Sequence, residues 1–115
     1  MTNPLVTKNR TVGTLLTILD QDVYTVPALH TASIESIFIS NIHSGSVSIT
    51  VDWYDSKTAT YKTLLNAVSV ANHDYLQLVD CLYLVGGDKI RASAASDNHA
   101  CISIRVSEEY TPNIT

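Results

Sequence analysis

The chain is predicted to be all-β, an antiparallel β-sandwich of about eight strands. Three observations predict it. The apolar residues make up 45% of the chain and are dominated by β-branched types, with Ser and Thr plentiful beside them. That composition suits a pleated, half-buried surface better than a helix. Turn-forming clusters recur at roughly the 8–12-residue spacing that marks a sandwich. No segment carries a helical apolar period, whereas several alternate with a period of two. A jelly-roll connection is compatible with this reading. At 115 residues the chain is one domain by length, able to bury about two thirds of its unfolded surface without staples.

Taken in order, residues 1–11 are polar, hold Pro4, Lys8 and Arg10, and lack periodicity. They are expected to form an N-terminal arm that lies on a neighbour in an assembly. The sandwich domain is expected over residues 12–108. Thr11 to Leu19 is rich in Val, Leu, Ile and Thr and reads as a strand. Asp20-Gln-Asp22 is a turn. Val23 to Val26 is a short strand stopped by Pro27, which has no ladder donor.

Thr31 to Ile42 is a strand apolar on both faces. Strict alternation places Ile34, Ser36, Phe38, Ser40 and Ile42 on one face, with Phe38 in the core. The other face carries Glu35, Ile37, Ile39 and Asn41. A half-exposed strand should be polar there, so Ile37 and Ile39 are expected to be covered by a neighbouring subunit or by the N-terminal segment.

After the His43-Ser-Gly-Ser46 turn, Val47, Ile49, Val51 and Trp53 alternate with polar residues and point to the core. Trp53 is the expected anchor. Ala59 to Leu65 returns as a hairpin strand, followed by a short apolar piece, Ala67 to Ala71. Tyr75 to Val79 and Leu82 to Val85 are further strand pieces. Gly86-Gly87-Asp88 is a sharp turn that glycine permits. Lys89 to Ala94 alternates with Ile90 inward. Ala100 to Val106 does so with Ile102 and Ile104 inward. Residues 109–115 are a polar tail.

No catalytic constellation emerges. His30, His43, His73 and His99 fall at turns, and no His-x-His or Cys-x-x-Cys supplies closely spaced zinc ligands. The aspartates fit no calcium-loop spacing. No Gly-x-Ser-x-Gly elbow is present. Gly86-Gly87 precedes a strand, whereas a phosphate cradle needs a helix start. The expectation is a non-enzyme with no cofactor and no metal. A net charge of −4 with seven scattered Lys and Arg argues against nucleic acid. No apolar run approaches a membrane span. With no export segment read in the chain, synthesis in a reducing cytosol is expected, with Cys81 and Cys101 as free thiols rather than a disulfide.

Val23-Tyr-Thr-Val-Pro-Ala28, then Thr31-Ala32, then Ser36-Ile-Phe-Ile-Ser-Asn41 resembles the opening of a family of small virion proteins of tailed bacteriophages. Gly87-Asp-Lys-Ile-Arg91 and the last alternating strand, Ala100 to Val106, resemble the family's close. The likeness spans about residues 15–107. It departs at Ala28-Leu29-His30, where such proteins often carry a Gly-rich turn. The resemblance implies a β-sandwich serving as a capsid decoration or cement protein, made in the host cytoplasm and located in the virion. Its expected partners are the major capsid protein or other virion proteins, and its expected self-association is a homo-oligomer, a trimer. The interface is expected to use Lys8, Arg10, Ile37 and Ile39 with the tyrosines Tyr54, Tyr61 and Tyr83, since Tyr packs its ring while its hydroxyl stays hydrogen-bonded. The alternatives are a neck, tail or fibre-attachment component, and a glycan-binding module using exposed tyrosines.

Overall fold

The computed structural model describes residues 7–112, and of Asp80 and Cys81 the backbone alone. Within them lie eight strands: β1 (Thr7–Leu15), β2 (Gln21–Thr25), β3 (His30–Asn41), β4 (Val47–Asp55), β5 (Thr60–Val70), β6 (Tyr75–Val85), β7 (Lys89–Ala94) and β8 (Ala100–Tyr110). They form two four-stranded sheets, ordered β1-β8-β3-β6 and β2-β7-β4-β5, every pair antiparallel.

This order follows from folding the chain on its own middle. The β4–β5 hairpin is the bend, and β3 then pairs β6, β2 pairs β7 and β1 pairs β8. Successive pairs fall in alternate sheets, and the β3–β8 and β4–β7 ladders close each sheet. The result is an eight-stranded jelly roll.

The core lies between the sheets, filled mainly by Ile, Val and Leu. Ile49, Val51, Ile90, Ile102 and Ile104 are buried in it, and Tyr24 joins them. Trp53 is only half-buried, at the core's margin. The Lys62 ammonium stands 5.2 Å from its ring centroid.

Strand β3 corrects the face assignment. Ile34 pairs Val106 and Ser36 pairs Arg105, so Glu35 is an extra residue against β8. Such a bulge shifts the alternation by one. Before it Ala32 and Ile34 point inward; after it Ile37 and Ile39 do, both with 0% exposure, while Phe38 is 36% exposed. The opposite sheet of the same chain therefore seals Ile37 and Ile39, no neighbour is needed there, and Phe38 is a surface residue.

Two further boundaries differ from expectation. Residues 7–11, expected in an arm, begin β1 and pair with β8 from Thr7↔Glu109 onward. Glu109 and Tyr110, expected in the tail, end β8. Residues 1–6 of the expected arm, residues 113–115 of the expected tail and the side chain of Cys81 lie outside the described residues. Cys101 is a free, half-buried thiol.

Candidate interaction surfaces

The two outer faces of the sandwich differ in how fully their side chains are occupied. On the β2-β7-β4-β5 sheet, charges and aromatics gather into one intramolecular cluster. The Arg91 guanidinium lies 3.5 Å from the Tyr61 ring centroid. It also bonds Asp52 at 3.1 Å and stands 3.8 Å from Asp20. Lys89 reaches Asp22 at 3.5 Å and sits over the Tyr54 ring, which packs against Tyr61. Of the expected interface tyrosines, Tyr54 and Tyr61 thus belong to an intramolecular cluster, although Tyr61 keeps 40% exposure.

The outer face of β1-β8-β3-β6 is different. Its centre carries small side chains in register, among them Ser33, Ser40, Ser103, Ser107 and Gly13. Its β6 side carries large apolar groups: Phe38 stacked on Tyr75 at 4.9 Å, then Val79 and Tyr83, exposed by 63% and 68%. The Glu35–Arg105 pair, 3.5 Å apart, is the ion pair on this face among the described residues. A shallow hollow of about 180 Å³ lies beside it, lined by Asn9, Thr11, Glu35 and Arg105. A sheet of small residues bordered by an aromatic ridge fits a packing surface whose apolar area lies along β6.

Arg10 does not project outward as an arm residue would. Its guanidinium lies 3.4 Å from both oxygens of Glu108, which is buried on the inner face of β8. The Tyr24 hydroxyl donates to the same carboxylate. Lys8 is exposed on the same side of β1. Burial first, then the hydrogen bond to and charge of Glu108, hold the Tyr24 phenol well above its ordinary range.

The turns carry structure rather than chemistry. The Asp88 carboxylate accepts from the Ser56 amide at 2.9 Å, the Ser56 hydroxyl at 2.7 Å and the Val85 amide at 3.0 Å. The Gly87 amide donates to the Val26 carbonyl and the Asp88 amide to the Val85 carbonyl, so these turn amides are committed within the chain. His43 and His99 converge at one end of the sandwich, stacked at 3.7 Å. His30 packs on Tyr110 at the other end. Among the described residues no group of three or more His, Cys, Asp or Glu is placed to hold a metal ion. No helix there is long and apolar enough to cross a membrane.

The sheet edges also differ. β2 is five residues long, with Val23 extra against β7. β5 is interrupted twice, at Leu64 and at Asn66-Ala67, where Ala67 adopts φ 50°. β6 breaks register opposite Glu35. β1 alone keeps one unbroken ladder over nine residues, from Thr7 to Leu15. Short length and bulges are the usual protection of an edge, and β1 has neither.

No protein-family model matches the sequence, and no curated protein matches it. Solved structures do. A Bacillus subunit from work titled "Bacillus endospore appendages form a novel family of disulfide-linked pili" superposes with TM-score 0.54 at 12% identity, covering 93% of this chain and 88% of that one. A chain of the infectious bursal disease virus T13 particle superposes with TM-score 0.54 at 8% identity, covering 91% of this chain. This chain spans only 31% of that viral one. A chain of the cyanophage Pam1 capsid asymmetric unit overlaps at 19% identity with TM-score 0.40, too low to carry an argument. At these identities the shared property is the fold.

Proposed function

We propose that this chain is a non-enzymatic structural subunit of a virion, a decoration or cement protein that works by burying surface against neighbouring capsid proteins. The observation that carries the reading is the outer face of β1-β8-β3-β6, sparsely charged and bordered by exposed Phe38, Tyr75, Val79 and Tyr83. Jelly rolls recur in viral capsid domains, and the likeness to the chain of the infectious bursal disease virus particle supports a role in assembly. A stable contact would bury roughly 1,200–2,000 Å² in total, which an extended sheet face can supply. With Ile37 and Ile39 sealed in the core, the exposed apolar set replaces them as the adhesive surface.

The test is binding of the purified 115-residue chain to shells lacking it, read by co-sedimentation and image reconstruction. Saturable binding through this face is expected, weakened by Tyr75→Ser with Tyr83→Ser. Binding unaffected by that pair, or no association with shell or tail, would count against the reading.

A second reading is a filament subunit. It is favoured by the near full-length overlap, in both directions, with the pilus subunit. Negative-stain microscopy of the concentrated chain separates the two, because a filament subunit polymerises alone and a cement protein needs the shell.

A further inference from the structure

The structure assigns the open edge of β1 as a self-pairing site, at which two copies join β1 to β1 antiparallel about a twofold axis through Thr11. The Leu16 amide donates to the Ala100 carbonyl at 2.8 Å, one step beyond the Leu15↔Cys101 pair. In an antiparallel ladder alternate residues direct both backbone groups to the same side. Residues 8, 10, 12 and 14 therefore turn their amides and carbonyls to β8. Thr7, Asn9, Thr11, Gly13 and Leu15 turn theirs to the open side, where no other described strand pairs with them.

A second copy fits this row better than any other occupant the chain offers. Pairing the full nine residues needs an equally regular partner, and β2, β5 and β6 are short or broken in register. With Thr11 opposite Thr11, the same alternation sets Thr7 against Leu15 and Asn9 against Gly13. Every outward-turned residue then meets another, giving about ten hydrogen bonds, the number a typical interface carries. On the other side Lys8 falls beside the second copy's Thr14, and Arg10 beside its Val12. Like charges directly opposite are destabilising, and this register has none. The two four-stranded sheets become one eight-stranded sheet, with both small-residue faces on the same side. The contact is isologous and closes at two copies, in place of the trimer expected from the family resemblance. It holds whether or not the chain belongs to a virion.

The test uses the 115-residue chain. Sedimentation velocity is expected to show a dimer, and Thr11→Pro a monomer with the same strand content by circular dichroism. That change removes an amide on the open side and leaves the β8 ladder intact. A second measurement stands even if the proline variant misfolds. With Cys81 and Cys101 changed to Ser, Thr11→Cys is expected to form an intermolecular disulfide on mild oxidation. Residues in a hydrogen-bonded antiparallel pair sit about 5.5 Å apart, within disulfide reach. Thr7→Cys is expected to stay reduced, because its symmetry mate lies about 25 Å away along the strand. A chain that stays monomeric at its highest soluble concentration overturns the assignment. So does a trimer or filament as the basic species, a dimer that survives Thr11→Pro, or equal cross-linking of Thr7→Cys and Thr11→Cys.

Discussion

The Tyr24 hydroxyl donates to the Glu108 carboxylate, tying β2 in one sheet to β8 in the other. Glu108 has 4% exposure, and its remaining contact is Arg10 at 3.4 Å. A buried carboxylate must be paired and hydrogen-bonded to be tolerated. Tyr24→Phe removes the shorter of the two contacts and leaves the charge under-satisfied. A loss of about 1–3 kcal/mol is expected from urea unfolding, and an unchanged midpoint would show that Arg10 suffices.

The same contact has a pH signature. Because the folded state holds the Tyr24 proton more firmly than the unfolded state, its contribution is complete below the ordinary tyrosine value of about 10. It is lost as pH rises above that, where the unfolded phenol ionises and the folded one does not. Wild type should therefore lose more stability than Tyr24→Phe between neutral and strongly alkaline pH. Parallel stability–pH curves would sink this account.

The shift of phase in β3 makes adjacent residues behave oppositely. Ile39 is wholly enclosed and Phe38 lies on the outer face. Ile39→Ala should lower stability by about 2–5 kcal/mol. Phe38→Ser should change it far less, about the ±0.5 kcal/mol usual for surface sites, with some further loss of the Tyr75 stack. Thermal melts of the two variants decide the assignment, and a reversed order would restore Phe38 to the core.

That strand also shows what the sequence discloses. The period-two runs Val47 to Val51, Lys89 to Ala94 and Ala100 to Val106 announce their inner faces because they carry no bulge on that stretch. Glu35 gives no such notice, since one extra residue in a strand has no composition signal of its own, and strict alternation therefore puts Ile37 and Ile39 on the outer face. The breaks expected after Leu65 and after Val79 coincide with the bulges in β5 and β6 rather than with strand ends. β1 begins four residues before the sequence suggests, held by its ladder to β8 rather than by apolar burial. The role of Glu108 is hidden because a charged residue just past the alternating run Ala100 to Val106 gives no sign of being buried. Only the fold brings Tyr24 and Arg10 to it.

Deleting residues 1–10 tests whether the first half of β1 is arm or fold. The deletion removes four ladder positions, Thr7 to Arg10, and with Arg10 the cationic partner of Glu108. An arm would leave the melting temperature unchanged. The pairing predicts a lower one, with Arg10→Ala alone giving a smaller drop, of order 1 kcal/mol or less, because that cation is partly solvated.

Asp88 holds the turns at the opposite end from the stacked histidines. Its side chain is buried and accepts from the Ser56 amide, the Ser56 hydroxyl and the Val85 amide. It thereby fixes the β6–β7 turn to the β4–β5 turn. Gly87 follows the same logic, since its φ of 91° is open to glycine and strained for other residues. Asp88→Ala strands donors in a half-buried site, at about 1–3 kcal/mol for each one left unsatisfied. Asp88→Asn keeps an acceptor oxygen and should lose less. Hydrogen exchange at Ser56 and Val85 is the direct readout: faster exchange at both in Asp88→Ala is expected, and protection equal to wild type would mean that water replaces the carboxylate without loss.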